Sequence, residues 1–320
     1  DEDIEAAVLE MGAGRSVHIS ELADIARPDI GVVTNVGTSH LEAFGTRDIL
    51  TAEKLGISKF FDVGNSIIVN SDCDKLSRKN VEKIVPAGTD VVTVGSEVND
   101  NIIVYNIGDF GIDGVSCSLD VKLGLTEYDG TYKLVIPVIG AHNLGNAALA
   151  IAAGVKLGIN PADGIRALAD TRFSSGRLEV IKTDRFTIID DSYNASPESM
   201  KSGLKILNSS KASRRVAILG DMYELGDESE TLHESVGTYT HDIGIDLLIT
   251  IGSNATAIAR AAVAAKEAEG IAYDGGLEVI AYTDKDEAIS KINDLLTEGD
   301  VILVKASRGM KLEDVISAIK

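Results

Sequence analysis

The residues with chemical potential in this chain stand in short polar sets that follow apolar runs. EMGAG offers Glu10 with Gly12, and TNVGTSHLEAFG offers Asn35, Thr38, Ser39 and His40. A carboxylate and an imidazole on adjacent strand ends can hold a divalent cation near a nucleotide phosphate. The plainer reading is a hydrogen-bonded strand end for Glu10 and a capped helix start for His40. Lys54 lies in RDILTAEKLGISKFF, where a lysine is ordinarily a solvated charge. Held neutral, it can instead add carbon dioxide and become an anion that binds Mg²⁺. GAHNLGNAALAIAAG puts His142, Asn143 and Asn146 at a helix start. Free N–H groups there bind anions and polar ring edges, although N-capping by Asn143 is the simpler account.

Four further sets come later in the chain. SSGRLE carries Arg177, either a salt-bridge partner or a phosphate clamp. IIDDSYNASPESM sets Asp190, Asp191, Tyr193 and Asn194 between an apolar strand and a Pro-initiated helix. Paired carboxylates at a strand end suit a ribose, a metal or an ammonium; the bland alternative is an Asx-turn. ILGDMYELGDESETLHESVG offers Asp221, Glu224, Leu225 and His233, and VILVKASRGMKLEDV offers Lys305, Ser307 and Arg308. A lysine and an arginine converging in an acidic protein can bind a substrate carboxylate. Ligands of open α/β sheets bind outside the carboxyl ends of the strands, so several polar strand ends in one chain favour a cleft.

The elements that must position these groups follow from periodicity. Continuous apolar runs at 4–10, 30–36, 66–70 and 90–95 read as strands buried on both faces. Helix-period segments at 18–26, 47–62 and 72–84 lie between them, which implies right-handed βαβ units. From 101 to 138 alternating residues and Gly/Asp turns predict a small antiparallel insert. Helices at 143–157 and 161–170 follow. After SSGR the alternation resumes, with strands at 187–191, 215–219, 246–251, 279–282 and 301–305. Helices begin near Pro197, Glu228, Asn254, Asp284 and Lys311. The expected fold class is α/β in two domains, 1–177 and 178–320.

Composition narrows the partners. Of 320 residues, 44% are hydrophobic; 30 basic against 50 acidic residues give a net charge of -20. A nucleic-acid binder carries a basic face, so no nucleic-acid partner is expected, and an anionic membrane would repel this surface. No apolar run reaches the ~18 residues a spanning helix needs, so no membrane insertion is expected. The acidic start DEDIEAAVLEMG does not read as a signal peptide. Cys73 and Cys117 are too few and too far apart for a disulfide framework or a cysteine zinc site, and a reducing cytoplasm is the expected compartment.

Taken together, EMG, ARPDIGVVTNVGTSHLEAFG, the Lys54 helix, GAHNLGNAALA, SGRLE, DDSYNASPESM, ILGDMYELG and VKASRGM resemble the Mur ligases, ATP-dependent amide-forming enzymes of peptidoglycan synthesis. The likeness runs in order along nearly the whole chain. It implies a central mononucleotide-binding, doubly wound domain with a small antiparallel insert, and a C-terminal Rossmann-like domain. It also implies that the N-terminal domain and the phosphate loop of that family are missing, since G-x-x-x-x-G-K-[ST] occurs nowhere in the sequence. The implied cofactors are ATP and Mg²⁺, and the implied substrates are UDP-N-acetylmuramoyl-tripeptide and D-Ala-D-Ala. By this likeness Glu10 and His40 match Mg²⁺ ligands and Lys54 the carbamylated lysine. Asn143 and Asn146 match groups near the adenine. Arg177 and Asp191 match contacts to ATP phosphate and ribose, with Tyr193 and Asn194 beside them. Lys305, Ser307 and Arg308, with Asp221 and Glu224, face the incoming amino acid or peptide. Relatives usually carry Gly-Glu at Val17-His18, Asn at Ser196, Gly at Ala306 and often Glu at Gly56. The alternatives are a sibling Mur ligase, a folylpolyglutamate-synthase-like ligase, or a non-catalytic binding module.

Overall fold

β-branched and leucine-rich runs separated by turn residues become the strands of two six-stranded sheets. The computed structural model describes residues 4–12, 18–37, 44–171, 176–268 and 276–320. The chain folds into two compact units. One comprises Asp1–Val104, Leu119–Tyr132 and Gly145–Pro161, the other Tyr105–Ser118, Lys133–Leu144 and Ala162–Lys320.

The first sheet runs in chain order through β1 (Ile30–Val33), β2 (Ser66–Asn70), β3 (Asp90–Gly95), β4 (Ile102–Asp109), β5 (Val115–Val121) and β6 (Gly130–Ile136). β1, β2 and β3 are parallel, with Val32 opposite Ile68 and Ile68 opposite Val92. Ile67, Ile68 and Val69 of β2 are fully buried, as a strand covered on both faces requires. β4 joins β3 in parallel through Val94 and Ile102. The short connections to β5 and β6 then permit only antiparallel neighbours. The antiparallel insert foreseen at 101–138 takes the form of β4, β5 and β6, which extend the parallel sheet. The helices of this part are α1 (His18–Ala26), α2 (Arg47–Leu55), the single turn α3 (Arg78–Val81), α4 (His142–Lys156) and α5 (Pro161–Leu168).

The second sheet holds β7 (Glu179–Lys182), β8 (Thr187–Asp191), β9 (Arg214–Gly220), β10 (Leu247–Ile251), β11 (Glu278–Tyr282) and β12 (Asp300–Lys305). Their order is β11-β10-β9-β12-β8-β7, parallel throughout except for β7 against β8. Helices α6 (Pro197–Ser209), α7 (Ser229–Asp242) and α8 (Ala255–Ala268) bury Met200, Leu204, Val236 and Ile258 in one apolar cluster. Helices α9 (Lys285–Leu295) and α10 (Glu313–Ile319) bury Ala288, Ile292, Val315 and Ile316 in a second. Separate clusters of this kind are what a doubly wound sheet produces. Because β12 inserts between β8 and β9, the ends of these three strands lie side by side.

Four expectations change. Residues 4–12 contain no strand, and Val8 is 96% exposed. An apolar run becomes a strand only where a neighbour completes its backbone hydrogen bonds, and among the described residues none does. The run at 30–36 pairs only as far as Val33. The helix foreseen at 47–62 ends at Leu55 and tightens into a 3-10 turn, Gly56–Ser58. There a Cβ on Gly56 would stand 2.7 Å from Ser20 Oγ, so glycine lets the chain approach α1. The helix foreseen at 72–84 breaks at Ser77, whose ψ of 146° is not helical. Next to it Arg78 Nη1 donates to the Val91 carbonyl at 2.6 Å, tying the segment to β3. The sequence pattern also gives no sign of β7, a short half-buried edge strand.

One close approach sets the helix packing in the second unit. An added Cβ at Gly237 of α7 would lie 2.1 Å from the Ile258 carbonyl oxygen of α8. Backbone cannot swing aside as a side chain does, so Gly237→Ala is expected to lower the unfolding free energy by about 2–3 kcal/mol through overpacking. Denaturant unfolding of the purified variant measures this, and an unchanged midpoint would contradict it.

Candidate functional site

The ends of β8 and β12 carry the densest chemistry. Asp191 and Lys305 are direct partners in the ladder between these strands. Lys305 is 2% exposed, and its Nζ donates to Asp191 Oδ2 at 2.6 Å and to the Asn194 carbonyl at 2.9 Å. Burial holds the Asp191 carboxyl above the usual carboxylate range, while the Lys305 ammonium pulls it down. Asp190 faces a different task. Its Oδ1 accepts from Ser192 N at 3.1 Å and Ser192 Oγ at 2.7 Å, which is an Asx-turn. Each acid of the pair thus takes one of the two readings its sequence allows.

The turn then runs into α6 under strong local control. Asn194 Oδ1 accepts from Ala195 N, Ser196 caps the helix in a reciprocal arrangement with Ser199, and Pro197 opens the first turn. Serine does here the capping that asparagine does equally well. Tyr193 N donates to the Gly176 carbonyl at 2.9 Å, and its ring stays 43% exposed. The Arg177 guanidinium lies 4.2 Å from the ring centroid and that of Arg308 5.8 Å. Arg308 also pairs with Glu313 at 3.1 Å. An exposed aromatic face flanked by two guanidinium groups suits a flat, anionic ligand.

At the neighbouring end of β9 the polar groups serve the framework. Asp221 Oδ1 accepts from Ala255 N at 2.7 Å, at the start of α8, and the Asp221 carbonyl accepts from Ser307 N. Burial raises the Asp221 carboxyl, and the amides of Ala255 and Asn254 act in the opposite sense. Ser307 Oγ accepts from Tyr223 N at 2.8 Å. His233 is wholly buried; its Nε2 accepts from Met222 N at 3.0 Å, so Nδ1 carries the proton toward the Ser229 carbonyl at 2.7 Å. A Cβ on Gly220 would come within 2.7 Å of Ala306 Cβ, so these two strand ends touch through small residues. Glu224 remains exposed, with φ +63°.

In the first unit Lys54 is half-buried, and its Nζ donates to the Asn35 carbonyl at 2.8 Å, beyond the end of β1. Burial lowers the basicity of its amine, partly opposed by Cys73. Beside it Glu53 is buried and accepts from Ile19 N at 2.8 Å, supporting the first turn of α1. The sequence pattern does not single out Glu53, because its partner lies 34 positions away. Glu10 is exposed. Thr38, Ser39 and His40 lie outside the described residues. Among the described residues no three acidic, histidine or cysteine side chains gather as a metal site.

His142 opens α4, so Asn143 lies inside the first turn rather than at the cap. Its Nδ2 donates back to the Ile139 carbonyl at 2.8 Å. Desolvation lowers the basicity of the His142 ring, the Lys305 charge acts in the same sense and Asp109 opposes both. Asn146 lies one turn on, exposed.

Comparisons with known proteins bear on the family and the fold. The Mur ligase middle domain matches residues 1–154 and the Mur ligase glutamate ligase domain matches 176–308. The UDP-N-acetylmuramoyl-tripeptide–D-alanyl-D-alanine ligase of Bacillus subtilis is 34% identical over 98% of this chain and 64% of its own length. The Escherichia coli ligase of the same name is 29% identical, over 98% of this chain and 65% of its own. Among solved structures, MurF of Acinetobacter baumannii superposes with a TM-score of 0.86 at 24% identity, covering all of this chain and 65% of its own. MurF of Thermotoga maritima in complex with ADP gives 0.79 at 25%, covering 98% and 66%. The chain thus spans about 64% of the length of the curated relatives it matches.

Asp221 provides a test of framework against ligand contact. Asp221→Ala removes the acceptor at the start of α8 and is expected to cost about 1–2 kcal/mol, whereas Asp221→Asn keeps an acceptor and costs less than half as much. Equal losses in denaturant unfolding would show that the cap is not what Asp221 contributes.

Proposed function

Because the chain belongs to the Mur ligase family, matching its middle and glutamate ligase domains in order, we propose that it forms the nucleotide- and amine-handling part of an ATP-dependent ligase. The reaction is the addition of D-alanyl-D-alanine to UDP-N-acetylmuramoyl-tripeptide in peptidoglycan synthesis. What carries this reading is the 34% identity to the Bacillus subtilis ligase along 98% of the chain. The strand ends of β8 and β12, where Asp191, Tyr193, Arg177 and Arg308 meet, support it.

The chemistry suits these groups. A carboxylate does not react with an amine at neutral pH, so phosphoryl transfer first makes an acyl phosphate. The dipeptide amine then attacks the acyl carbon, a tetrahedral intermediate forms, and phosphate leaves. The protein's task is to hold charged reactants in line. In this reading Arg177 contacts phosphate, Asp191 with Tyr193 and Asn194 contacts the ribose, and Asn143 and Asn146 approach the adenine. Arg308 and Glu224, both exposed, face the incoming dipeptide; Ser307 and Asp221 hold the loops that present them. The functional division falls at 177/178.

Mg²⁺ would be held by Glu10, His40 and the carbamate of Lys54, and would offset phosphate charge. The half-buried position of Lys54 fits this, because burial favours the neutral amine that reacts with carbon dioxide. The two free cysteines, both buried, suit the cytoplasm. No described helix is long and apolar enough to cross a membrane.

Two experiments bear on the reading. The 320 residues contain no phosphate loop and are expected to turn over ATP negligibly by themselves. In a chain of full family length, ATP-dependent ligation is expected to favour D-Ala-D-Ala over single amino acids by roughly 100-fold or more. Preference for glutamate would point to a folylpolyglutamate-type ligase instead. In the same assay Lys54→Ala is expected to lose nearly all activity and to regain part of it with a short-chain carboxylic acid. Lys54→Arg is expected to stay inactive, since a guanidinium keeps its charge and cannot be carbamylated. An active Lys54→Arg enzyme would exclude the carbamate.

A further inference from the structure

We propose that Lys305 is a positioning residue, whose ammonium clamps the Asp191 carboxylate and the Asn194 carbonyl and so fixes the turn that presents Asp191 and Tyr193 to a nucleotide. The proposal rests on the nucleotide reading of the preceding section. It gives Lys305 a role different from the substrate contact that the family resemblance implies.

Three observations carry it. First, Lys305 is almost wholly buried and already donates to two oxygens, at 2.6 and 2.9 Å. An incoming carboxylate would have to break a desolvated charge pair to reach it, and separating such a pair leaves both charges uncompensated. Second, the two oxygens belong to residues 191 and 194, which bracket Tyr193. One side chain therefore spans the whole turn between β8 and the cap of α6. Third, the stem has a built path. Gly203 of α6 faces it, and a Cβ there would stand 3.6 Å from Lys305 Cδ and 3.2 Å from Leu303 Cδ2. The helix that begins at this turn thus packs closely over the lysine that holds it.

The charge pattern explains why an ammonium is needed. Asp190 and Asp191 are adjacent, and the burial of Asp191 disfavours its ionised form. The Lys305 charge opposes both effects and so favours a carboxylate as its hydrogen-bond acceptor. The turn has other anchors: Asp190 holds Ser192, the Gly176 carbonyl holds Tyr193 N, and the Leu178 backbone reaches the Asp191 carboxyl. None of them reaches across from β12.

The test uses this chain with Lys305→Met, Asp191→Asn and the double variant. Carbon-13 NMR follows the Asp191 carboxyl titration and denaturant unfolding reports stability, while calorimetry measures ADP affinity with the same substitutions in a chain of full family length that carries the phosphate loop. In Lys305→Met the Asp191 titration is expected to move upward by about one pH unit or more, as loss of a contacting opposite charge requires. ADP affinity is expected to fall roughly tenfold in each single variant and by clearly less than the product of the two in the double, because both disturb one clamp. A folded Lys305→Met protein with unchanged Asp191 titration overturns the proposal. So does an independent, additive loss of ADP affinity in the double variant. Should Lys305→Met not fold, the neutral pair of the double variant, compared with Asp191→Asn alone, gives the same decision. Failure of an unsubstituted chain of full family length, phosphate loop included, to bind ADP would sink the nucleotide reading instead, and the titration would still judge the clamp.

Discussion

The buried ion pair between Lys305 and Asp191 is the constraint around which the second unit is arranged. Two charges withdrawn from water are costly unless geometry and further hydrogen bonds compensate them. Here the parallel ladder places the two residues directly opposite, and the Asn194 carbonyl takes a second donor of the ammonium. The pair is possible only because β12, last in the chain, inserts between β8 and β9. The order of strands and the pairing of charges therefore explain each other.

Around that pair, several buried polar groups are satisfied by backbone. His233 uses both ring nitrogens on main-chain groups, Asp221 holds the first amides of α8, and Ser307 holds Tyr223 N. Such bonds cost little once made, and leaving a buried donor or acceptor unpaired costs far more. The result is a rigid rim on which a few groups, Tyr193, Arg177, Arg308 and Glu224, stay at the surface. Rigid support with exposed tips is what a reaction governed by alignment of charged groups needs.

The first unit solves a different problem. Lys54 and Glu53 are neighbours on one helix yet point to separate partners, the Asn35 carbonyl and Ile19 N. Glu53 braces α1 against α2, and the small Gly56 keeps the two segments close. The lysine is left half-buried next to the end of β1, in surroundings that favour its neutral form.

Much of this was legible without coordinates. β2, β3, β8, α1 and the start of α6 follow from apolar runs and from Pro197 with its serine cap, signals contained within a few adjacent residues. The polar strand-end sets were legible for the same reason, and so was the family resemblance, which rests on short motifs in order. What the sequence could not apportion was the work done inside each set. DDSYN shows two acids but not that Asp190 serves its own turn while Asp191 meets a lysine 114 positions away. VKASRGM shows three polar residues but not that Lys305 and Ser307 are buried and hydrogen-bonded to Asp191, Asn194 and Tyr223 while Arg308 stays exposed. The run at 4–10 has a strand's composition without a strand's partner. Sequence alone determined the local elements, because periodicity, caps and turns act between near neighbours. The tertiary structure alone decided which polar groups hold the fold and which remain for a ligand, because burial and long-range pairing exist only once the strands are placed side by side.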